Sequence, residues 1–184
     1  MNELNRLFFK CCFWAFGWKV VGRLPELKKY MITVAPHTSN WDFIVGLAAK
    51  YIIRLKAQFL GKDSLFKIPF LGAFMRSIGG HSVDRSKKSK VVEEIAALFH
   101  QNDEFVMVIA PEGTRSYQAN WRTGFYYIAL AAKVPIVMVG IDFAKKTVEI
   151  NEPFTPCGDA IKDIEMMKNH YRTFSGKNKD QGIR

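Results

Sequence analysis

Apolar residues along this chain fall into short blocks of two kinds. Continuous β-prone runs bounded by turn residues read as buried strands, and longer stretches with apolar positions three and four apart read as helices. Tyr30 to Ala35 (YMITVA) is the first such strand, and it stops at Pro36. Ala57 to Gly61 and His81 to Val83 read as further strands. Phe105 to Ala110 (FVMVIA) is the clearest, and Pro135 to Ile141 (PIVMVGI) follows, with an edge pair expected around Thr147 to Ile150. Between them, helices are predicted from Trp41 to about Ile53, from Pro69 to Ile78 before Gly79-Gly80, from about Ser89 to His100, and near Gly124 to Lys133. Strand and helix alternate, which predicts an α/β fold with a mostly parallel central sheet flanked by helices. In such sheets ligands sit at the carboxyl ends of the strands.

The first segment has a different pattern. Leu4 to Val21 is rich in large apolar groups, broken by Lys10 and Lys19. Its longest uninterrupted apolar run, Cys11 to Trp18, falls short of the roughly 20 residues that cross a bilayer. Gly22-Arg23-Leu24-Pro25 follows where a secretory signal would need a small-residue cleavage site, so the segment is expected to be retained. Trp14 and Trp18, with cations at both ends, predict an N-terminal interfacial helix; a helix packed on the domain's own core is the alternative. The expected organisation is a membrane-surface helix over 1–24, one domain over 25–174, and a flexible polar tail over 175–184 (SGKNKDQGIR).

Composition narrows the function classes. With 48% apolar and 24% charged residues in 184, the chain is a globular domain able to bury its own core. Twenty-seven Lys plus Arg against 17 Asp plus Glu give a net +10, which favours phospholipid surfaces, nucleic acid or phosphorylated substrates. Cys11, Cys12 and Cys157 suit neither a disulfide framework nor metal spacing, so the cytosolic side is the expected setting. No His-Glu-x-x-His, Gly-x-Gly-x-x-Gly, Gly-x-Ser-x-Gly or phosphate-loop Lys motif occurs. The chemistry therefore falls to His and Asp.

Two polar clusters begin where predicted strands end. His37 and Asp42 span a loop and a helix start, so the carboxylate can hold one imidazole nitrogen and leave the other as a base. A bare pair at this spacing also serves as a loop and helix cap. In Pro111-Glu112-Gly113-Thr114-Arg115-Ser116, Gly113 permits close backbone approach and Arg115 can grip phosphate oxygens bidentately. Arg85 and Arg122 are placed to join that seat. Glu112 either orients the arginines or the catalytic loop, or forms a salt bridge or cap.

These residues also carry a resemblance. His37-Thr38-Ser39-Asn40-Trp41-Asp42 resembles the His-x-Ser-x-x-Asp block of the glycerolipid acyltransferases, whose lysophosphatidic acid acyltransferases are the best-known members. Pro111 to Ser116 matches that family's third block unchanged. Gly80, Val83 and Arg85 are similar to its second block, with Val for Phe, and Val134-Pro135-Ile136-Val137 to its fourth, with Met138 where a second proline often stands. The resemblance implies an acyltransferase with a His37–Asp42 dyad and no covalent acyl-enzyme. It implies an acceptor-binding set of Arg85, Glu112, Gly113, Thr114, Arg115 and Arg122, and no metal or cofactor. The donor would be acyl-CoA or acyl carrier protein. The acceptor would be a lysophospholipid, with 1-acylglycerol-3-phosphate leading and lyso-ornithine lipid an alternative. The expected setting is an anionic membrane surface on the cytoplasmic face, without nucleic acid. A hydrolase using the same dyad and a non-enzymatic basic membrane- or nucleic-acid-binding module stay open as other classes.

Overall fold

Strand β2 (Lys29–Ala35) is apolar on both sides of its pleat and accordingly takes the centre of the sheet. The computed structural model describes residues 3–83 and 88–184. Among these, seven strands form one sheet in the order β1-β7-β6-β2-β5-β3-β4. The others are β1 (Lys19–Val21), β3 (Gln58–Lys62), β4 (Gly80–Val83), β5 (Phe105–Ile109), β6 (Ile136–Asp142) and β7 (Thr147–Phe154). Strands β2 to β6 run parallel to one another, β7 is antiparallel to β6, and β1 runs parallel to β7. The helices are α1 (Glu3–Ala15), α2 (Asn40–Ile52), α3 (Asp63–Phe66), α4 (Leu71–Ser77), α5 (Lys88–Gln101), α6 (Gly124–Ala132) and α7 (Ala160–Tyr171). The chain is α/β with a mostly parallel sheet, as its pattern predicts.

Alternation along β2 divides one short run between two cores. Met31 and Ala35 join Phe99, Phe125 and Met167 beneath α5, α6 and α7. Tyr30 and Ile32 face the other way, toward Phe13, Val45 and Ala49 of α1 and α2. A small third cluster, Phe66, Met75 and Ile78, lies under the α3–α4 hairpin. Gly72 makes that hairpin tight, since a Cβ there would stand 2.2 Å from the Phe66 carbonyl oxygen.

Several expectations change. The N-terminal helix ends at Ala15 and the chain turns at Gly17, whose φ of 72° suits glycine. Lys19–Val21 does not continue the surface helix through residue 24 but pairs with β7, where its β-branched residues cover an open strand edge. Strand β7 is consequently longer than the expected pair at 147–150 and is no edge. Helix α3 has four residues, too few to show a period. Trp18, expected at headgroup level, packs edge-on against Phe143 at 5.1 Å. No described helix is long and apolar enough to cross a membrane.

Helix α1 packs on the core along one face and leaves apolar residues exposed on the other. Phe13 is buried, Phe9 stacks on Tyr51 of α2 at 5.0 Å, and Glu3 pairs with Arg54 at 2.5 Å. Leu4, Leu7, Phe8 and Trp14 nevertheless stay exposed. The segment 175–184, expected to fray, instead lies along the sheet end. Phe143 N donates to Ser175 O at 2.8 Å, and Lys179–Gln181 forms a 3-10 turn.

Tyr171 ties α7 to the middle of the sheet. Its buried hydroxyl donates to Thr33 O at 2.7 Å and accepts from Val139 N at 3.2 Å, beside a register irregularity in β6. Removing that oxygen leaves a buried N–H and C=O without it, which typically costs about 1–3 kcal/mol. Tyr171→Phe is thus expected to lower unfolding free energy by about 2 kcal/mol, read by urea denaturation.

Candidate active site

Strand β2 ends at Ala35, and a cis Ala35–Pro36 bond turns the chain so that His37 stands above the sheet's carboxyl edge. Two residues later helix α2 begins with a capping box. Ser39 Oγ accepts from Trp41 N, and the Asp42 carboxylate reaches back to Ser39 N at 2.7 Å. The same oxygen, Oδ2, accepts from Thr38 N at 2.6 Å and lies 3.1 Å from His37 Nδ1. One carboxylate oxygen therefore starts the helix, folds the loop and holds the imidazole. A carboxylate cannot donate, so Nδ1 carries the hydrogen and Nε2 presents its lone pair. Asp42 is buried, and the helix N-terminus favours its negative charge. Its Oδ1 has no hydrogen-bond partner among the described residues.

Glu112 arrives from the end of β5 and, of the places open to it, takes the one that holds the His37 loop. It is 3% exposed and accepts the His37 backbone N–H on both oxygens, at 3.1 and 2.8 Å. The carboxylate anchors the loop from below, while its neighbours line the opening. Gly113 has a φ of 67°, and a Cβ there would meet Arg122 Cδ at 2.9 Å, so the Arg122 stem lies across the glycine. Arg122 N donates to Pro111 O at 3.3 Å, which closes residues 111–122 into one loop. Arg115 is exposed and Thr114 half-buried on that loop. Arg85 lies outside the described residues.

The sequence reading missed two parts of the site. The polar tail is one. Asn178 N and Nδ2 donate to Thr38 Oγ1 and O at 3.2 and 2.9 Å. With its amide turned to donate, Gln181 bridges Thr38 O and Arg115 O at 2.9 and 2.8 Å. The tail thus links the His37 loop to the Arg115 loop, and only Asn and Gln in a polar stretch could have hinted at it.

The second is a cavity of about 220 Å3 between α2 and the sheet. Ile32, Val34, Val108, Val139 and Ile141 supply the sheet side, and Phe43, Gly46, Leu47 and Ile53 the helix side. His37 and Asp42 lie toward the start of α2 and Lys50 two turns on, about 12 Å away at 1.5 Å per residue. Lys50 Nζ donates to Ala57 O at 2.7 Å and Ile78 O at 2.5 Å, and burial lowers its pKa. The arrangement is an imidazole held by a carboxylate at one end of an apolar cavity, with Arg115 and Arg122 on a nearby loop.

The family model described as Acyltransferase matches residues 19–142, and the chain belongs to that family. Among similar proteins, the 1-acyl-sn-glycerol-3-phosphate acyltransferase of Salmonella typhimurium is 32% identical over 144 residues, 74% of this chain and 58% of that protein. The Escherichia coli protein of the same name is 31% identical over the same shares, and that of Saccharomyces cerevisiae 33% identical over 66% of this chain and 41% of its own. The chain therefore spans less than two thirds of the length of these relatives. The crystal structure of the 1-acyl-sn-glycerophosphate (LPA) acyltransferase from Thermotoga maritima superposes with a TM-score of 0.66, at 20% identity, over 93% of this chain and 78% of that one. The fold is shared with it.

Glu112 gives the site a measurable pH signature. Burial pushes its carboxyl up to about 7, the His37 N–H bond opposes the rise, and the Asp42 charge adds to it. An unfolded Glu titrates near 4.3, so between about 4.3 and 7 the native state keeps a proton that the unfolded state has lost. Stability due to this group is full below pH 4.3 and falls as pH rises to about 7, by roughly 3 kcal/mol at 1.36 kcal/mol per pH unit. Glu112→Gln does not titrate. Its unfolding free energy minus that of the parent is expected to grow by about 3 kcal/mol from pH 4.3 to 7, measured by denaturant titration at each pH.

Proposed function

We propose that this chain is an O-acyltransferase that moves a fatty acyl group from a thioester to the hydroxyl of a lysophospholipid. The observation that carries this reading is His37, held by Asp42 at 3.1 Å and lining the apolar cavity with it. In the proposed step Nε2 takes the acceptor hydroxyl proton as the oxygen attacks the thioester carbonyl. That attack forms the ester C–O bond, collapse of the tetrahedral species restores the carbonyl and breaks the C–S bond, and the imidazolium gives its proton to the departing thiolate. Asp42 keeps the tautomer and stabilises the imidazolium. The cavity suits an acyl chain, because between His37 and Asp42 at one end and Lys50 at the other its walls are apolar.

Acyl-CoA and acyl carrier protein both supply the required thioester. Arg115 and Arg122, with Arg85 from the matching motif, suit an acceptor carrying phosphate, and 1-acylglycerol-3-phosphate is the acceptor named for the relatives. Thr114 and Gly113 would complete that seat. The exposed apolar face of α1 and the net +10 favour attachment to the anionic cytoplasmic face of a membrane, where such donors are at hand.

The direct test is transfer by detergent-solubilised protein, crossing both donor types with a panel of lysolipids. His37→Ala is expected to lower kcat about a hundredfold to ten-thousandfold with the fold intact, and Asp42→Asn nearly as much. Near-native transfer by a folded His37→Ala protein refutes the assignment of the base. Gly46 tests the channel, because a Cβ there meets nothing within 4 Å. Gly46→Met is expected to fill the cavity and to slow transfer of long acyl chains more than short ones. Equal effects on donors of every chain length would remove the cavity from the reaction.

A further inference from the structure

Phe70 is 92% exposed and has a positive φ of 61° with a ψ of −48°. A non-glycine residue there carries a steric cost, and the free protein gives its ring nothing to pack against. It occupies the cap position before α4 without a side-chain hydrogen bond, at the tip of the α3–α4 connection. Ile68, Leu71 and Phe74 are exposed beside it, while Phe66, Gly72 and Met75 turn inward. The run from 68 to 74 thus has an apolar outer face on a tightly packed base.

Topology places this tip at a particular edge. Strand β3 is parallel to β5 and β5 to β2, so α3 leaves the sheet at the edge that carries His37. Helix α2 begins at that edge, with Trp41 exposed beside Asp42. Helix α1 ends there as well, because β1 starts opposite Thr147, next to the carboxyl end of β6. Its last turn brings Trp14, 84% exposed, and Phe16, 69% exposed. Three separate segments therefore display Trp14, Phe16, Trp41, Ile68, Phe70 and Phe74 toward the same edge.

Cations share it. Lys146 Nζ donates to Phe16 O at 3.1 Å, Lys145 is exposed in the same β6–β7 turn, and Lys177 Nζ sits 5.8 Å from the Phe143 ring centroid. Projecting aromatic and aliphatic groups with ammonium groups among them match the depth profile of an anionic bilayer surface, with apolar tips below the headgroups and cations at phosphate level.

We propose that the α3–α4 connection, with Phe70 at its tip, is a second point of insertion into an anionic lipid interface besides α1, so that the sheet edge bearing His37 lies against the membrane. This partner deepens the lipid-acceptor reading and rests on it for its purpose. Membrane contact at 70 also accounts for an aromatic side chain held in a strained, unpacked conformation.

The test uses the full chain with vesicles of phosphatidylethanolamine and phosphatidylglycerol. Glycine has no Cβ to strain at a positive φ, so Phe70→Gly is expected to keep the Tm of the free protein while losing about tenfold in vesicle affinity. Phe70→Trp is expected to retain affinity, and its added emission over the parent should be quenched by lipids brominated on their acyl chains. Unchanged affinity of Phe70→Gly, or a Trp at 70 that brominated lipids leave unquenched, overturns the proposal. Intact vesicle binding with selective loss of activity on an acyl-carrier-protein thioester overturns it in favour of protein docking. Partitioning is read without turnover, so a chain inactive on every acceptor that still shows the Phe70 dependence supports insertion and removes only the acyl-transfer reading.

Discussion

A single carboxylate oxygen organises the business end of this protein. Asp42 Oδ2 collects the Thr38 and Ser39 backbone N–H groups and the His37 imidazole within 3.1 Å. Residues 36–39 have no ladder or helix of their own, so their backbone donors need an acceptor, and a buried one without a partner would cost about 1–3 kcal/mol. Asp42 supplies it from the first turn of α2, where the helix dipole favours a negative charge. Helix start, loop shape and imidazole orientation are therefore one arrangement, and disturbing any part disturbs the others.

Two further anchors make that arrangement rigid. Glu112 holds the His37 N–H from the end of β5, and Asn178 holds Thr38 from the tail. They come from elements that are neighbours only because β2 sits centrally, with β5 on one side and β6 on the other. Burying Glu112 beside the Asp42 charge lifts its carboxyl toward neutrality, so the loop is bought with a group uncomfortable as an anion. Two acidic groups of different environment thus support one histidine. Asp42 faces three donors, and Glu112, equally buried, has one donor shared between its oxygens.

The same layering leaves space where the proposed chemistry needs it. Helix α2 crosses the sheet with Gly46 at its middle, and the gap continues from Asp42 to Lys50. At the far end, two backbone carbonyls satisfy the Lys50 ammonium. The sheet also gives the molecule polarity from edge to edge. His37, the Arg115 loop, the lysines of the β6–β7 turn and the exposed aromatic residues gather at one edge, while the Glu3–Arg54 pair marks the other end of α1.

Much of this was legible in the sequence because the signals are local. A strand buried on both faces is a continuous apolar run, so β2, β5 and β6 stand out within a residue or two. The His-x-Ser-x-x-Asp spacing is itself a capping box, which is why clamp and helix start could be read from six residues. The family followed from those motifs in their order. Other features depend on partners far along the chain. Val20 reads as part of an apolar helix until β7 offers an edge, and Asn178 and Gln181 read as tail until Thr38 lies within reach. Glu112 could be assigned to substrate or scaffold from its motif, and its burial against His37 N depends on β5 lying beside β2. The cavity, the shared edge and the exposed tip at Phe70 have no local signal, since each is a relation between elements that only packing creates. Covalent neighbours determined the elements and the dyad by short-range hydrogen bonding and periodicity, and tertiary packing decided what surrounds them, because burial and charge environment are set by residues distant in the chain.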